Sequence, residues 1–549
     1  MIEFKKDVTT LIKISDERRD KGDLIGAISV LLNDCLYYKK DSIIYKKLGE
    51  LYLLTNDYDS SAFNYLKYAD LCSTKERKGA ILEAVIACIR GEREKFAVSL
   101  LEEFWRFFSN GENVYQEEVF DFLNSIELKE KPKFRVVEKD KNFKNFNKGV
   151  QAYYEKDYEK AIEELSCIEK DSKFYEQAIL KLGVCYFMKE NKEKSLDKLY
   201  EYFNNYKPTA EQYCSFINIL DVYCDTDKKI IKQRDYYLEK LLSLKITKNS
   251  DNFLIAEFLV SMFSDYERAL KFISEYLRKE PYDDGAIFMK SVCLYLTDKR
   301  EAGISEIKKA YMLTHSCKYK FVLDSMKAGL NDKKYKLQEL YDYPLCLKKD
   351  YLNVIKNCIK DKNELNKLTE KDCLQMVDYA CDLDEKKFWL QVVELFSCGE
   401  KKFFTDILAD LLLYESINVE IKSAILENMV YKGYTKSRGV ALPDFYTRIN
   451  FLSLEDFVEE NYKKALCYLY GRLPAFMERE FISNALKLEN YFIFSKKEIN
   501  CTKQDLAGAI LMYCLRDKQQ LLGGFFKILK TNKTKSVKLL NEILNDENE

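Results

Sequence analysis

Apolar and polar positions alternate along this chain with a helical period, and one local pattern of them recurs. From Lys148 the chain reads K-G-V-Q-A-Y-Y-E-K-D-Y-E-K-A-I, and from Leu182 it reads L-G-V-C-Y-F-M-K-E-N-K-E-K-S-L. Each stretch holds a small residue, an apolar run, a polar turn and a second small residue. The pattern predicts two helices joined by a tight turn, and the interval of 34 residues between Gly149 and Gly183 predicts a repeat array.

The same register extends over much of the chain. It covers residues 8–41, 42–75, 142–175, 176–209, 250–283 and 284–317, it covers 77–110 after a slip of one residue, and 210–249 is a further helix pair with a stretched turn. Small residues recur at positions 8 and 20 of these repeats. We expect the two helices of a repeat to approach each other closely at those positions, because a bulky side chain there would push them apart.

These repeats resemble tetratricopeptide repeats. That family's motif favours Leu-Gly at positions 7 and 8, an aromatic near position 11, Tyr at 17, Ala at 20 and Pro at 32. Tyr158 and Tyr266 occupy position 17 and Pro281 occupies position 32, whereas Ser61 and Ser195 replace the alanine of position 20. The resemblance covers roughly residues 8–317 and implies an all-α fold, a tetratricopeptide-like superhelix (α-solenoid) followed by an all-helical C-terminal domain.

The register breaks once, at residues 111–141. This segment contains a helical stretch followed by a charged run around Pro132, which we interpret as a linker or insertion. We therefore expect an N-terminal block of about three repeats at 1–110 and a central block of about five repeats at 142–317.

Residues 318–549 lose the repeat register but keep the helical pattern, which predicts a helical C-terminal domain. The segment 418–433, N-V-E-I-K-S-A-I-L-E-N-M-V-Y-K-G, is similar to the second helix of a HEAT repeat. The alternative is a helical bundle that caps the last apolar face of the array, which every repeat array needs.

Composition narrows the class of protein and of partner. Hydrophobic residues make up 47% of the chain and charged residues 33%, as in folded, soluble proteins. Lys and Arg number 89 against 90 Asp and Glu, so no overall charge favours a nucleic acid or an anionic membrane as partner. The 17 cysteines form no C-x-x-C pair, and no signal peptide or long apolar run occurs, which favours the cytoplasm.

The sequence carries no motif for chemistry. His315 is the only histidine, and we expect it to be an ordinary surface residue near the end of a repeat. Catalysis by Ser–His–Asp or Cys–His would need this one residue, histidine-rich zinc sites are excluded, and neither a phosphate-binding loop nor a dinucleotide motif occurs. We expect no cofactor, no metal and no enzymatic activity.

The resemblance implies a binding groove. In tetratricopeptide arrays the first-helix positions 2, 5, 9, 12 and 13 line the concave face. The candidate groove residues here are Phe143, Phe146, Val150, Tyr153, Tyr154, Leu180, Val184, Phe187, Phe288, Val292 and Tyr295. Chaperone-binding members of the family carry Lys at position 5 and Asn at position 9, where this chain has apolar residues. Capture of an acidic C-terminal peptide by that route is therefore not expected.

An apolar face of this kind predicts a non-enzymatic scaffold that binds a protein or peptide through an apolar or helical segment. Three alternatives stay open. The groove can be filled by the chain itself, the array can be a peptide-responsive regulator of the C-terminal domain, or residues 318–549 can hold an unrecognised catalytic site.

Overall fold

The computed structural model describes residues 7–35, 41–108, 119, 122, 141–224, 227–330, 343–454, 456–472, 479–494, 501–515, 526 and 529–544. These residues form 27 α-helices and a single pair of short strands, which confirms the all-α class. The chain divides into two compact units. One comprises Met1–Leu123 together with Ile307–Glu549, and the other comprises Asn124–Glu306.

Helix pairs make up the repeat region, as the register predicts. In the N-terminal part of the first unit they are α1 Val8–Asp20 with α2 Leu24–Cys35, α3 Ser42–Leu54 with α4 Tyr58–Leu71, and α5 Thr74–Arg90 with α6 Glu94–Phe108. The second unit continues with α7 Lys141–Tyr154 and α8 Tyr158–Ser166, α9 Tyr175–Met188 and α10 Lys192–Asn205, α11 Ala210–Val222 and α12 Lys228–Leu242, α13 Asn249–Phe263 and α14 Tyr266–Lys279, and α15 Asp284–Leu296 and α16 Arg300–Thr314. The boundary between the units falls within α16.

The turn inside six of the repeats has the same backbone conformation. Position 15 lies in the left-handed region in six repeats, at Gly22, Asn56, Lys156, Glu190, Ser264 and Asp298, with φ between 50° and 79°. The next residue caps the second helix through its side chain at Asp57, Asp157, Asn191 and Asp265. A left-handed residue followed by an Asp or Asn cap ends one helix and starts the next without a longer loop. The 34-residue register is therefore present in the backbone as well as in the sequence.

Small residues at positions 8 and 20 let the two helices of a repeat touch. A Cβ atom added to Gly183, at position 8, would lie 2.6 Å from the Leu199 side chain. Ser195, at position 20, donates its hydroxyl to the Gly183 carbonyl oxygen at 2.9 Å, and Ser61 donates in the same way to Gly49. The serines that depart from the family's alanine thus stay small and also satisfy a buried backbone acceptor.

The C-terminal part is a helical domain with one β-hairpin. Its helices are α17 Cys317–Ala328, α18 Tyr343–Lys360, α19 Lys362–Lys367, α20 Glu370–Leu383, α21 Lys386–Cys398, α22 Lys402–Leu411, α23 Val419–Tyr431, α24 Glu460–Tyr470, α25 Arg479–Phe494, α26 Lys503–Cys514 and α27 Lys533–Leu544. Strands β1 Ser437–Leu442 and β2 Phe445–Asn450 pair antiparallel, from Ser437 opposite Asn450 to Leu442 opposite Phe445. An all-helical domain was expected, so the hairpin is an addition to it.

The hairpin packs against the N-terminal repeats. The carboxylate of Asp70 on α4 accepts hydrogen bonds from the Arg448 guanidinium and from the Gly439 backbone N–H, the latter at 3.1 Å. Ser99 on α6 donates to the Tyr446 carbonyl oxygen at 3.0 Å. Because Asp70 and Arg448 are both buried, this ion pair joins residues far apart in sequence into one core. The two-unit division consequently differs from the segments 1–110, 111–141, 142–317 and 318–549 expected from sequence.

The sequence also predicts a linker at residues 111–141 and a HEAT-like helix at residues 418–433. The segment 111–141 lies outside the described residues except for Val119, Phe122 and Lys141. The HEAT-like segment 418–433 forms α23 and ends at Gly433 with φ 65°, but the hairpin follows it instead of another helix. Its HEAT character stays a prediction. None of the described helices combines the length and the apolar composition needed to cross a membrane.

Candidate functional site

The predicted groove residues begin on helix α7. The rings of Phe143 and Phe146 lie 5.7 and 5.0 Å from the ring of Phe174, between their ring centres. Phe143 is 39% exposed, whereas Phe146 and Val150 are half-buried. The start of α7 therefore presents an aromatic cluster whose outer edge faces solvent.

Tyr153 and Tyr154 follow at the end of the same helix. Their rings meet edge to face at 5.6 Å, and Tyr153 is half-buried while Tyr154 is exposed. Burial raises the pKa of the Tyr153 phenol. The Lys181 ammonium from α9 lies 4.6 Å from the Tyr153 ring centre and 5.2 Å from that of Tyr154. A cation thus sits on the two tyrosines within the predicted groove.

Leu180, Val184 and Phe187 lie on α9 and are half-buried. They pack against the core of the following repeats, and the ring of Phe187 meets that of Tyr223 at 5.5 Å. The structure therefore brings the candidates of the first two central repeats onto adjacent first helices, with part of each side chain accessible.

The last three candidates lie on α15 and behave differently. Phe288 is half-buried, but Val292 is 1% exposed and Tyr295 is 2% exposed, so these two candidates are buried and do not present an accessible surface to a partner. Gly303, at position 20, explains this. A Cβ atom placed there would lie 3.0 Å from the Tyr295 Cβ, so α16 approaches Tyr295 closely. The Arg300 guanidinium also lies over the Tyr295 ring, at 5.2 Å from its centre.

A further set of exposed apolar residues lies along the same helices, and only one of them, Tyr154, is among the candidates predicted from sequence. Position 13, the last or next-to-last residue of the first helix, is a large exposed apolar residue in all five repeats of the second unit. These residues, the position-13 stripe, are Tyr154 (73% exposed), Met188 (48%), Val222 (61%), Met262 (39%) and Leu296 (36%). Equivalent positions of stacked repeats lie in a row. The signal was present in the sequence, because position 13 can be read in every repeat once the register is set.

The first unit contains a cleft of about 920 Å³ that sequence reasoning did not anticipate. One wall comes from α3, α4 and α6, with Tyr45, Phe63 and Lys67, and the other comes from the C-terminal part. Lys67 pairs with Asp410 at 2.8 Å and lies over the Tyr45 ring at 4.5 Å. Because this cation already has a partner, it does not define the charge of a ligand for the cleft.

His315 lies at the edge of this cleft, and it is not the surface histidine expected from sequence. It is half-buried with φ 54°, its ring stacks on Tyr311 with 4.9 Å between ring centres, and its Nε2 is 3.2 Å from the Ser29 hydroxyl. Burial lowers the pKa of the imidazole. Burial also raises the pKa of the nearby Asp378 carboxyl, which accepts the Cys317 backbone N–H. The contacts of His315 join α16 to α2 within the first unit.

Helix pairs with a 34-residue register and a partly apolar first-helix face define a helical-repeat protein that resembles tetratricopeptide repeat proteins. No family model and no curated protein matches the sequence.

Solved structures match over long stretches at low similarity. The C-terminal part of a TPR repeat-containing protein from Cytophaga hutchinsonii is 14% identical, over 48% of this chain and 98% of that chain, with a TM-score of 0.27. The P58(IPK) TPR domain is 13% identical, over 60% of this chain and 100% of that chain, with a TM-score of 0.22. Naa15/Naa10 bound to HypK-THB is 10% identical, over 98% of this chain and 80% of that chain, with a TM-score of 0.29. At these values the matches carry no inference about partner or activity.

Proposed function

We propose that this protein is a scaffold that binds an apolar or helical segment of another protein along the first helices of the repeats at 142–296. The position-13 stripe is the observation that carries the proposal. Large apolar side chains in a row, exposed in five consecutive repeats, leave apolar surface in water that a partner segment would cover. Phe143, Tyr153, Leu180, Val184 and Phe187 border the stripe at its N-terminal end.

The first two central repeats form the most favourable part of this surface. Tyr154 and Met188 are the exposed members of the stripe there, and the half-buried Tyr153 and Phe187 stand beside them. Aromatic side chains that are already held by packing lose little conformational freedom on binding, which favours them as anchors. Val292 and Tyr295 are buried, so less apolar surface is accessible at the C-terminal end of the stripe. The proposed binding surface is therefore centred on residues 143–188. A cytoplasmic location stays a prediction.

A library of short random peptides displayed in a loop, selected on the immobilised full-length protein, tests this proposal. Wild-type protein should enrich peptides with large apolar residues. The double variant Tyr154→Ser and Met188→Ser should bind the selected peptides at least about tenfold more weakly, because about 1.4 kcal/mol corresponds to tenfold in affinity and each buried apolar side chain contributes on that order.

A matched control removes equally exposed apolar residues elsewhere. Tyr236 on α12 is 56% exposed and Tyr431 on α23 is 85% exposed, so Tyr236→Ser with Tyr431→Ser changes a similar area away from the surface. Circular dichroism must show unchanged helix content in both double variants. Equal loss of binding in the two, or unchanged binding in the Tyr154 and Met188 variant, would refute the proposal.

A further inference from the structure

Lys181 stands out within the proposed binding surface because, in the part of the chain that the structure describes, its ammonium contacts aromatic rings and has no counter-ion. It occupies position 6 of its repeat on α9, and its side chain is half-buried with the ammonium over the rings of Tyr153 and Tyr154. No carboxylate pairs with it among the described residues. By contrast, the nearby Lys148 pairs with Glu164 at 3.0 Å and Lys189 pairs with Glu159 at 2.6 Å.

The surroundings of this ammonium make it a good binding partner for an anion. The two tyrosine rings and the apolar residues beside them remove part of its hydration, and less water between charges strengthens a charge-assisted hydrogen bond. The rings also hold the lysine in place before a ligand arrives, so little freedom is lost on binding. A carboxylate set beside apolar side chains is the complement of this arrangement.

We propose that Lys181 binds one acidic side chain, Asp or Glu, within the apolar partner segment, an inference that rests on the proposed function. The neighbouring positions exclude a run of acids. Leu180 and Val184 occupy positions 5 and 9, where a second polar group would be needed to hold a further carboxylate. The partner motif is therefore a single acid flanked by large apolar residues.

The acid belongs to the interior of the partner segment and not to its C-terminus. Exposed members of the position-13 stripe lie on both sides of Lys181 along the array, with Tyr154 in the repeat before it and Val222 and Met262 in the repeats after it. A segment that covers these residues continues past Lys181 in both directions. A terminal carboxylate would leave one side of the stripe uncovered.

The experiment uses two libraries of short random peptides on the full-length protein, one displayed in a loop and one with free C-termini. Wild-type protein should enrich Asp or Glu between apolar residues in the loop library. Lys181→Gln should lose this preference and keep the apolar one, whereas Lys181→Glu should exchange it for Lys or Arg. For one selected peptide, replacing its acid by the amide should weaken binding about tenfold to wild type and hardly at all to Lys181→Gln.

Lys194 provides the matched control, because its ammonium also lies over a tyrosine ring, Tyr186 at 5.5 Å, but it is on the second helix α10. Lys194→Glu should leave the acid preference unchanged. Persistent acid enrichment in Lys181→Gln, or its restriction to free C-termini, would overturn the inference while the proposed function stands. If the wild-type protein did not enrich apolar peptides at all, the proposed function itself would be refuted.

Discussion

Lys422 offers a sharp test of the C-terminal core. It lies on α23, its side chain is 0% exposed, and its ammonium donates to the Ala441 carbonyl oxygen of β1. No carboxylate pairs with it among the described residues. Burial lowers the pKa of Lys422 from its usual 10.5 to about 7. Replacing it in Lys422→Met keeps the length of the side chain and removes the charge, and the exposed Lys436 supplies the control Lys436→Met.

The sign of the pH effect follows from where the proton is held. The unfolded chain keeps the lysine proton up to pH 10.5, whereas the folded chain releases it near pH 7. Between these values the unfolded state binds more protons, so the free energy of unfolding rises with pH by about 1.36 kcal/mol per pH unit. Over the shift of about 3.5 pH units the free energy of unfolding changes by roughly 4.8 kcal/mol. The buried lysine lowers the stability by this amount below pH 7 and no longer lowers it above pH 10.5.

Urea unfolding at about pH 7.5 and about pH 9.5 measures the slope. Trp389 reports on this core, because it is buried in the same cluster as Ile421 and Ile425, and a Trp105→Phe background leaves it as the only tryptophan. The protein with Lys422 should gain about 2.5 kcal/mol more in free energy of unfolding over this interval than the Lys422→Met protein, and Lys436→Met should behave as its parent does. Other groups titrate alike in all three proteins and cancel. If the free energy of unfolding rose equally with pH in the proteins with and without Lys422, the lowered pKa would be refuted.

Two further predictions concern packing. Gly183→Ala should cost about 1–3 kcal/mol in denaturant unfolding, because the new Cβ would lie 2.6 Å from Leu199, whereas Gly79→Ala, with nothing within 4 Å of its Cβ on α5, should stabilise by about 0.5–1 kcal/mol. Asp70→Asn should cost about 3–5 kcal/mol and speed hydrogen exchange of the hairpin amides at 437–450, since it leaves the buried Arg448 without its carboxylate. The pair of Arg93 with the exposed Asp59 is the control. Asp59→Asn should cost under about 1 kcal/mol, because the lost carboxylate faces solvent and Arg93 keeps its pair with Glu415.

The repeat architecture could be predicted from sequence because its constraints are local. A small residue at Gly149 or Gly183, a turn residue at position 15 and a capping Asp or Asn at position 16 each act within one helix pair. These residues are read in order along the chain, and each repeat checks the register of the one before it. Helix bounds and the number of pairs follow directly.

The hairpin and its contact with Asp70 could not be predicted in the same way. The sequence V-A-L-P-D-F-Y-T-R-I carries a turn signal at Pro443-Asp444 between two apolar runs, but helical patterns on both sides outweighed it. The partner of Arg448 lies in α4, and no local pattern connects residues so distant in sequence. The burial of Tyr295 was missed for a related reason, because the position rule assumes one helix spacing and Gly303 shortens it.

The position-13 stripe gains significance from what the repeat itself requires. Positions 8, 20 and 24 must be small or well packed, since the two helices of a repeat touch there. Position 13 carries no such demand. In the first unit position 13 is Asp20, Leu54 and Ile89 in turn; Leu54 is exposed too, but the first helix pair forms with an exposed charge at this position. Folding therefore tolerates a charge at the end of the first helix. In the second unit this position holds an exposed apolar residue in five consecutive repeats, although 33% of the chain is charged. The repeat fold does not require this, and a partner segment that lies across the helix ends would explain it.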